Sequence, residues 1–99
     1  MPDTLSKHVP SYKQYLITFY NTTHTMETYN HAKKHLPVAI MPVPRLISKS
    51  CGLAIEYQGE NPSVFQAYFD TLTIPSRLFF IETPVSGERC ATLLAEHTL

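Results

Sequence analysis

The thiol of Cys51 is the group in this chain whose surroundings best suit chemistry. It follows Pro42, Val43, Pro44, Arg45, Leu46, Ile47, Ser48, Lys49 and Ser50 and precedes Gly52. Arg45 and Lys49 lie within six residues of the sulfur and favour its thiolate, which is the nucleophilic form of cysteine. Ser48 and Ser50 bring hydroxyls that can donate hydrogen bonds to it. Pro42 and Pro44 fix the backbone and remove two amide donors, so the loop leading to the thiol is stiff. Against this stands the commonest fate of a free cysteine, a small hydrophobe packed in a core.

Other groups give weaker patterns. Cys90, the second of two cysteines, is too distant for a CxxC redox motif, and two cysteines are too few for a structural zinc site. It reads as packing or surface in the first turn of a terminal helix. A Cys51–Cys90 bridge acting as a reversible redox sensor is the remaining option for the pair. His24, His31 and His35 share one side of the first predicted helix with Glu27. The four-residue step from His31 to His35 suits two ligands of one metal. No third ligand is evident, so a solvated polar face is the better reading and no metal is assigned. There is no Gly-rich phosphate loop, no Ser-His-Asp order at a nucleophile elbow and no paired catalytic carboxylates. The pattern therefore fits a carrier or binding protein better than a turnover enzyme, and implies no cofactor.

The elements that must position Cys51 follow from periodicity. Residues 1–12, punctuated by Pro2 and Pro10, read as a loosely held arm before a single domain over 13–99. Residues 14–20 are β-branched and aromatic and predict a strand. Asn21, Thr22 and Thr23 can cap a helix that carries Met26, Tyr29, Ala32 and Leu36 on its core face and stops before Pro37. Residues 38–41 and 52–57 predict the second and third strands. Asn61 and Pro62 start a second helix with the stripe Val64, Phe65, Tyr68, Phe69 and Leu72. Residues 77–82 predict a fourth strand, and 88–97 a short terminal helix. This βαββαβ order predicts an α+β, ferredoxin-like two-layer sandwich with a four-stranded antiparallel sheet. Cys51 then stands at one end of the sheet, at the mouth of its own loop. The aromatic residues fall at strand or helix spacing and read as core.

Composition bounds the partners. Lys plus Arg equals Asp plus Glu at 8 each, which gives no electrostatic case for nucleic acid or anionic membranes. No apolar run approaches the ~20 residues of a spanning helix. The first residues lack the apolar stretch of a secretory signal, which points to the cytoplasm, where thiols stay reduced.

The string Ile40-Met41-Pro42-Val43-Pro44-Arg45, followed by Ser48 and then Cys51-Gly52-Leu53-Ala54, resembles the signature of a small bacterial selenium/sulfur carrier protein-like family. The resemblance covers roughly residues 13–83 and marks Pro42, Pro44, Arg45, Ser48, Cys51 and Gly52. Leu46, and Tyr29-Asn30-His31 late in the first helix, stand where family members tend to carry acidic residues. The resemblance implies that Cys51 holds sulfur or selenium between a donor and an acceptor protein. The physical needs of carriage agree with the loop: both a thiolate and the persulfide it becomes are anions that Arg45 and Lys49 can stabilise. Gly52 leaves room beside the sulfur for a second heavy atom. The competing reading is a non-catalytic module that docks or homo-oligomerises through a sheet edge, with Cys51 as packing.

Overall fold

The computed structural model describes residues 11–49, 52–84 and 87–98. The elements are β1 (Ser11–Phe19), α1 (Thr22–Ala32), β2 (Val38–Pro42), β3 (Leu53–Tyr57), α2 (Pro62–Asp70), β4 (Ser76–Pro84) and β5 (Cys90–His97). The class is α+β as expected. The sheet, however, has five strands in the order β2-β3-β1-β4-β5, where four were expected, and every pairing is antiparallel.

The fifth strand replaces the expected terminal helix. Ala91, Leu93, Leu94, Ala95 and Glu96 all favour helices in isolation, which made the segment read as one. Its conformation is set by pairing with β4 instead. Ser76 faces His97, Arg77 faces Glu96 and Glu82 faces Cys90, with a bulge opposite Leu78 and Phe79. Arg77 Nε donates to Glu96 Oε2 at 2.8 Å across this ladder, and the His97 ring stacks on Phe69 with centroids 4.4 Å apart. Gly87 precedes β5 with φ of 131°, a conformation that side chains with a Cβ rarely adopt.

Register divides the sheet into two faces. Ile17 lies opposite Ile55 on one side and Leu78 on the other, and all three are fully buried against Phe65 and Phe69 of α2. Tyr29 of α1 and Leu36 beyond it pack on the same cluster, so both helices cover this face. Leu16 points the other way, between Glu56 and Phe79.

The helices start where the cap residues predicted, but their buried faces differ from expectation. Asn21 Oδ1 accepts from the His24 amide at 2.8 Å, and Asn61 Oδ1 from the Ser63 amide at 3.1 Å, with Pro62 opening α2. In α1 the buried residues are Thr25, Thr28 and Ala32, while Met26 is turned outward. Two threonines on the core face hid the true stripe, because polar residues do not register as a hydrophobic period. In α2 Phe65 and Phe69 are buried as predicted, and Val64 is exposed.

Candidate functional site

The loop after β2 is built from its prolines. Pro42 closes the β2–β3 ladder opposite Leu53, and the Val43 amide adds one more bond, to Gly52 O at 3.0 Å. The chain then turns: Pro44 O accepts from the amides of Ile47 at 2.9 Å and Ser48 at 3.1 Å. Arg45 and Lys49 are both exposed, and Ser48 is half-buried. Ser50 and Cys51, the latter the expected attachment point, lie outside the described residues.

Beside this loop is a cavity of about 490 Å³. Val43, Ile47, Ser48, Gly52 and Leu53 form one wall. The end of β1 and the start of α1 form another through Thr18, Phe19, Tyr20, Asn21, Thr22 and Thr25, and β4 closes it with Ser76 and Arg77. Of the expected binding residues, Ser48 and Gly52 therefore line the cavity. Pro42, Pro44, Arg45 and Lys49 do not.

Its polar groups come from three elements meeting at one end of the sheet. Thr25 is 1% exposed and its hydroxyl lies 3.2 Å from Asn21 O and 3.3 Å from Leu53 O, which ties α1 to the residue after Gly52. Ser76 donates to Ile74 O at 2.9 Å. Among the described residues the Thr18 hydroxyl has no hydrogen-bond partner, although the residue is only 9% exposed. Arg77 is the one charged residue among the described residues that line the cavity. Its hydrogen bond to Glu96, and then the nearby Tyr20 hydroxyl, raise its pKa and keep it cationic.

Arg77, Thr18, Thr25 and Ser76 were not expected at a site. Each is remote in sequence from residue 51, and the placement of β1 between β3 and β4 brings them to one cavity with Gly52 and Leu53. Asn21 and Thr22 did carry a signal, as a helix cap, though not as a site.

Gly52 makes no steric demand of its own. A Cβ there would meet Val43 Cγ2 at 3.7 Å, an ordinary contact, and among the described glycines only Gly87 has a positive φ. The described surroundings therefore have room for the Cβ of an alanine at position 52.

Cys90 is exposed at the start of β5, not in a helical turn. It stands level with Glu82 and, through it, with Lys13, whereas Gly52 lies two residues beyond Ala54, which is level with Thr18. At about 3.3 Å per residue the two ends are roughly 20 Å apart. Cys51, the other partner of the expected redox bridge, lies outside the described residues.

The histidines do not act as a set. His31 Nδ1 lies 2.8 Å from Tyr68 Oη and joins the two helices, with the His35 ring 5.1 Å away. Burial raises the Tyr68 pKa. Among the described residues no three His, Cys, Asp or Glu side chains group as metal ligands, and no helix is long and apolar enough to cross a membrane.

No curated protein and no solved structure matches this chain. A family model does match, over residues 14–74, a span that runs from β1 past the proline loop and Cys51 to the residues before β4. With that match covering well over half its length, the chain belongs to the Putative Se/S carrier protein-like family.

Proposed function

We propose that the protein is a thiol carrier or relay that holds a sulfur or selenium atom on Cys51 between a donor and an acceptor protein. The observation that carries this reading is the family match together with the position of Gly52, the residue bonded to Cys51, on the wall of a cavity at the end of the sheet. A carrier needs its thiol beside open space, and it needs cations near the anion it forms. Arg45 and Lys49 stand exposed in the same loop, where they can meet a partner's surface and the charge of a persulfide. In the loading step the Cys51 thiolate attacks a sulfane sulfur. The new S–S bond forms as the donor's S–S bond breaks, and the electron pair leaves on the donor's sulfur. Unloading is the reverse step on an acceptor thiolate, so no redox cofactor takes part. The order β2-β3-β1-β4 of the first four strands supports a ferredoxin-like core with β5 added at its edge.

The test is intact-mass spectrometry in a Cys90→Ser background after incubation with a cysteine desulfurase and either cysteine or selenocysteine, from which the desulfurase takes zero-valent sulfur or selenium as alanine leaves. The expected adduct forms on Cys51 and disappears in Cys51→Ser. Equal adducts on both proteins refute the reading.

A second reading is favoured by one observation. β5 is an edge strand whose Leu93 and Leu94 are 47% and 41% exposed, and such an edge is a template for another strand. Homo-oligomerisation through β5 predicts a dimer by analytical ultracentrifugation that Leu94→Lys disperses. A monomer at all concentrations dismisses it.

A further inference from the structure

We propose that the cavity beside Gly52 binds the oxyanion end of a small sulfane-sulfur compound, a sulfonate or carboxylate that carries a transferable sulfur. This rests on the carrier reading for the fate of the sulfur, and on the cavity's own groups for the anion. The volume of about 490 Å³ falls within the usual range for small-molecule sites. Among the described residues its sole charged lining residue is the Arg77 cation, and no carboxylate lines it. Glu96 takes Arg77 Nε, and a guanidinium has further N–H donors suited to a planar or tripodal oxyanion.

The start of α1 adds to the same preference. It has no acidic residue in its first turn, and Asn21 satisfies the amides of His24 and Thr25. That leaves the Thr22 amide, at the cavity wall, without a protein acceptor among the described residues, at the positive end of the helix dipole. Helix end and cation do not stand alone. Thr18 is 9% exposed and lines the cavity, and its hydroxyl has no protein partner among the described residues, so it is free to bond to a ligand. Val43, Ile47 and Leu53 supply an apolar wall suited to the polarisable sulfur end of the donor.

The transfer balances without an added oxidant or reductant. The Cys51 thiolate bonds to the outer sulfur of the donor, whose S–S bond breaks. The electron pair departs on sulfite when the donor is thiosulfate, or on a thiolate when it is a small carboxylate-bearing persulfide.

The experiment uses the full chain as Cys51→Ser, Cys90→Ser, which binds but cannot accept sulfur. Amide shifts are followed by NMR during titration with thiosulfate, with cysteine persulfide, and with bis(2-hydroxyethyl) trisulfide as an uncharged sulfane-sulfur control. Saturable shifts at Thr18, Thr22, Leu53 and Arg77 are expected with at least one anionic probe and not with the control, and the probe that binds identifies the head group. Arg77→Gln should weaken binding about tenfold, whereas Glu96→Gln, which breaks the same ion pair but keeps the cation, should preserve or tighten it. If Arg77→Gln does not fold, Thr18→Val serves, with several-fold weaker binding expected. No saturable shift with either anion, or equal loss in Glu96→Gln and Arg77→Gln, overturns the proposal. Binding here without loading of the wild-type thiol would sink the carrier reading alone, and loading without binding would sink this one alone.

Discussion

Replacing Thr25 with valine removes one buried hydroxyl while keeping the side chain's shape. That hydroxyl is shared between Asn21 O at 3.2 Å and Leu53 O at 3.3 Å, both longer than the usual 2.7–2.8 Å of an O–H···O bond. It therefore counts as one divided hydrogen bond, of about 0.5–1.5 kcal/mol net. Asn21 O keeps the Thr25 amide at 3.3 Å, which limits the loss at that carbonyl. Threonine and valine have similar helix propensity, and the extra methyl recovers a fraction of a kcal/mol of apolar burial. The expected cost is about 1 kcal/mol, equivalent to a fall in Tm of about 4–8 °C for a domain of this size. Urea and thermal unfolding measure it. Because the bond reaches the residue after Gly52, the Gly52 and Leu53 amide resonances should also move in Thr25→Val and stay in place in Thr25→Ser, which keeps the donor. A valine variant at least as stable as wild type, or identical shifts in the two variants, would refute the claim that this hydroxyl anchors the cavity wall.

Gly87→Ala should destabilise by about 1–2 kcal/mol, since φ of 131° penalises any Cβ, and a chemical melt unchanged from wild type would contradict it. Gly52→Ala should fold with wild-type stability, because its Cβ meets only Val43 at 3.7 Å, yet load less sulfur on Cys51; normal loading in the mass assay removes the glycine from the mechanism. Phe65→Ala should cost about 3–5 kcal/mol through the void left under the sheet, enough to unfold much of a domain whose total stability is about 5–15 kcal/mol. Burial raises the Tyr68 pKa in the folded chain, so the unfolded chain releases that proton first. Stability should accordingly fall as pH climbs past the ordinary tyrosine value of about 10, and Tyr68→Phe should lessen that fall when unfolding is measured across pH.

The strands and helices that carry Cys51's loop were legible because each has its own local signal. Asn21 and Asn61 cap their helices, Pro62 opens one, and Pro42 and Pro44 end a ladder. β5 was not legible, since its alanines, leucines and glutamate favour a helix and only the ladder to β4 makes it a strand. The threonine face of α1 escaped for a related reason: Thr25 is buried because Asn21 O and Leu53 O satisfy it, and neither partner is visible in a periodicity. The cavity was half legible. Its near wall, Ser48 and Gly52, is local to the thiol. Arg77 lies on a strand that reaches the site only because β1 sits between β3 and β4.

That topology also separates the two kinds of positive charge that sequence proximity had merged. Arg45 and Lys49 flank the thiol in the chain but face solvent, where fields are screened within about 10 Å and act chiefly on encounter with a charged partner. Arg77 is distant in the chain and lines the cavity, held by Glu96 and set against the Tyr20 ring at 5.6 Å. On the carrier reading the first pair should govern how fast a donor or acceptor protein associates, with a strong dependence on salt. Arg77 should govern which small molecule is retained, with a weaker one. Neutralising Arg45 and Lys49 together should then slow loading from a protein donor and leave loading from a small anionic donor unchanged, while Arg77→Gln should do the opposite. Equal effects of the two changes on both donors would mean that the cations act as one diffuse field, and that the cavity has no part in selecting the donor.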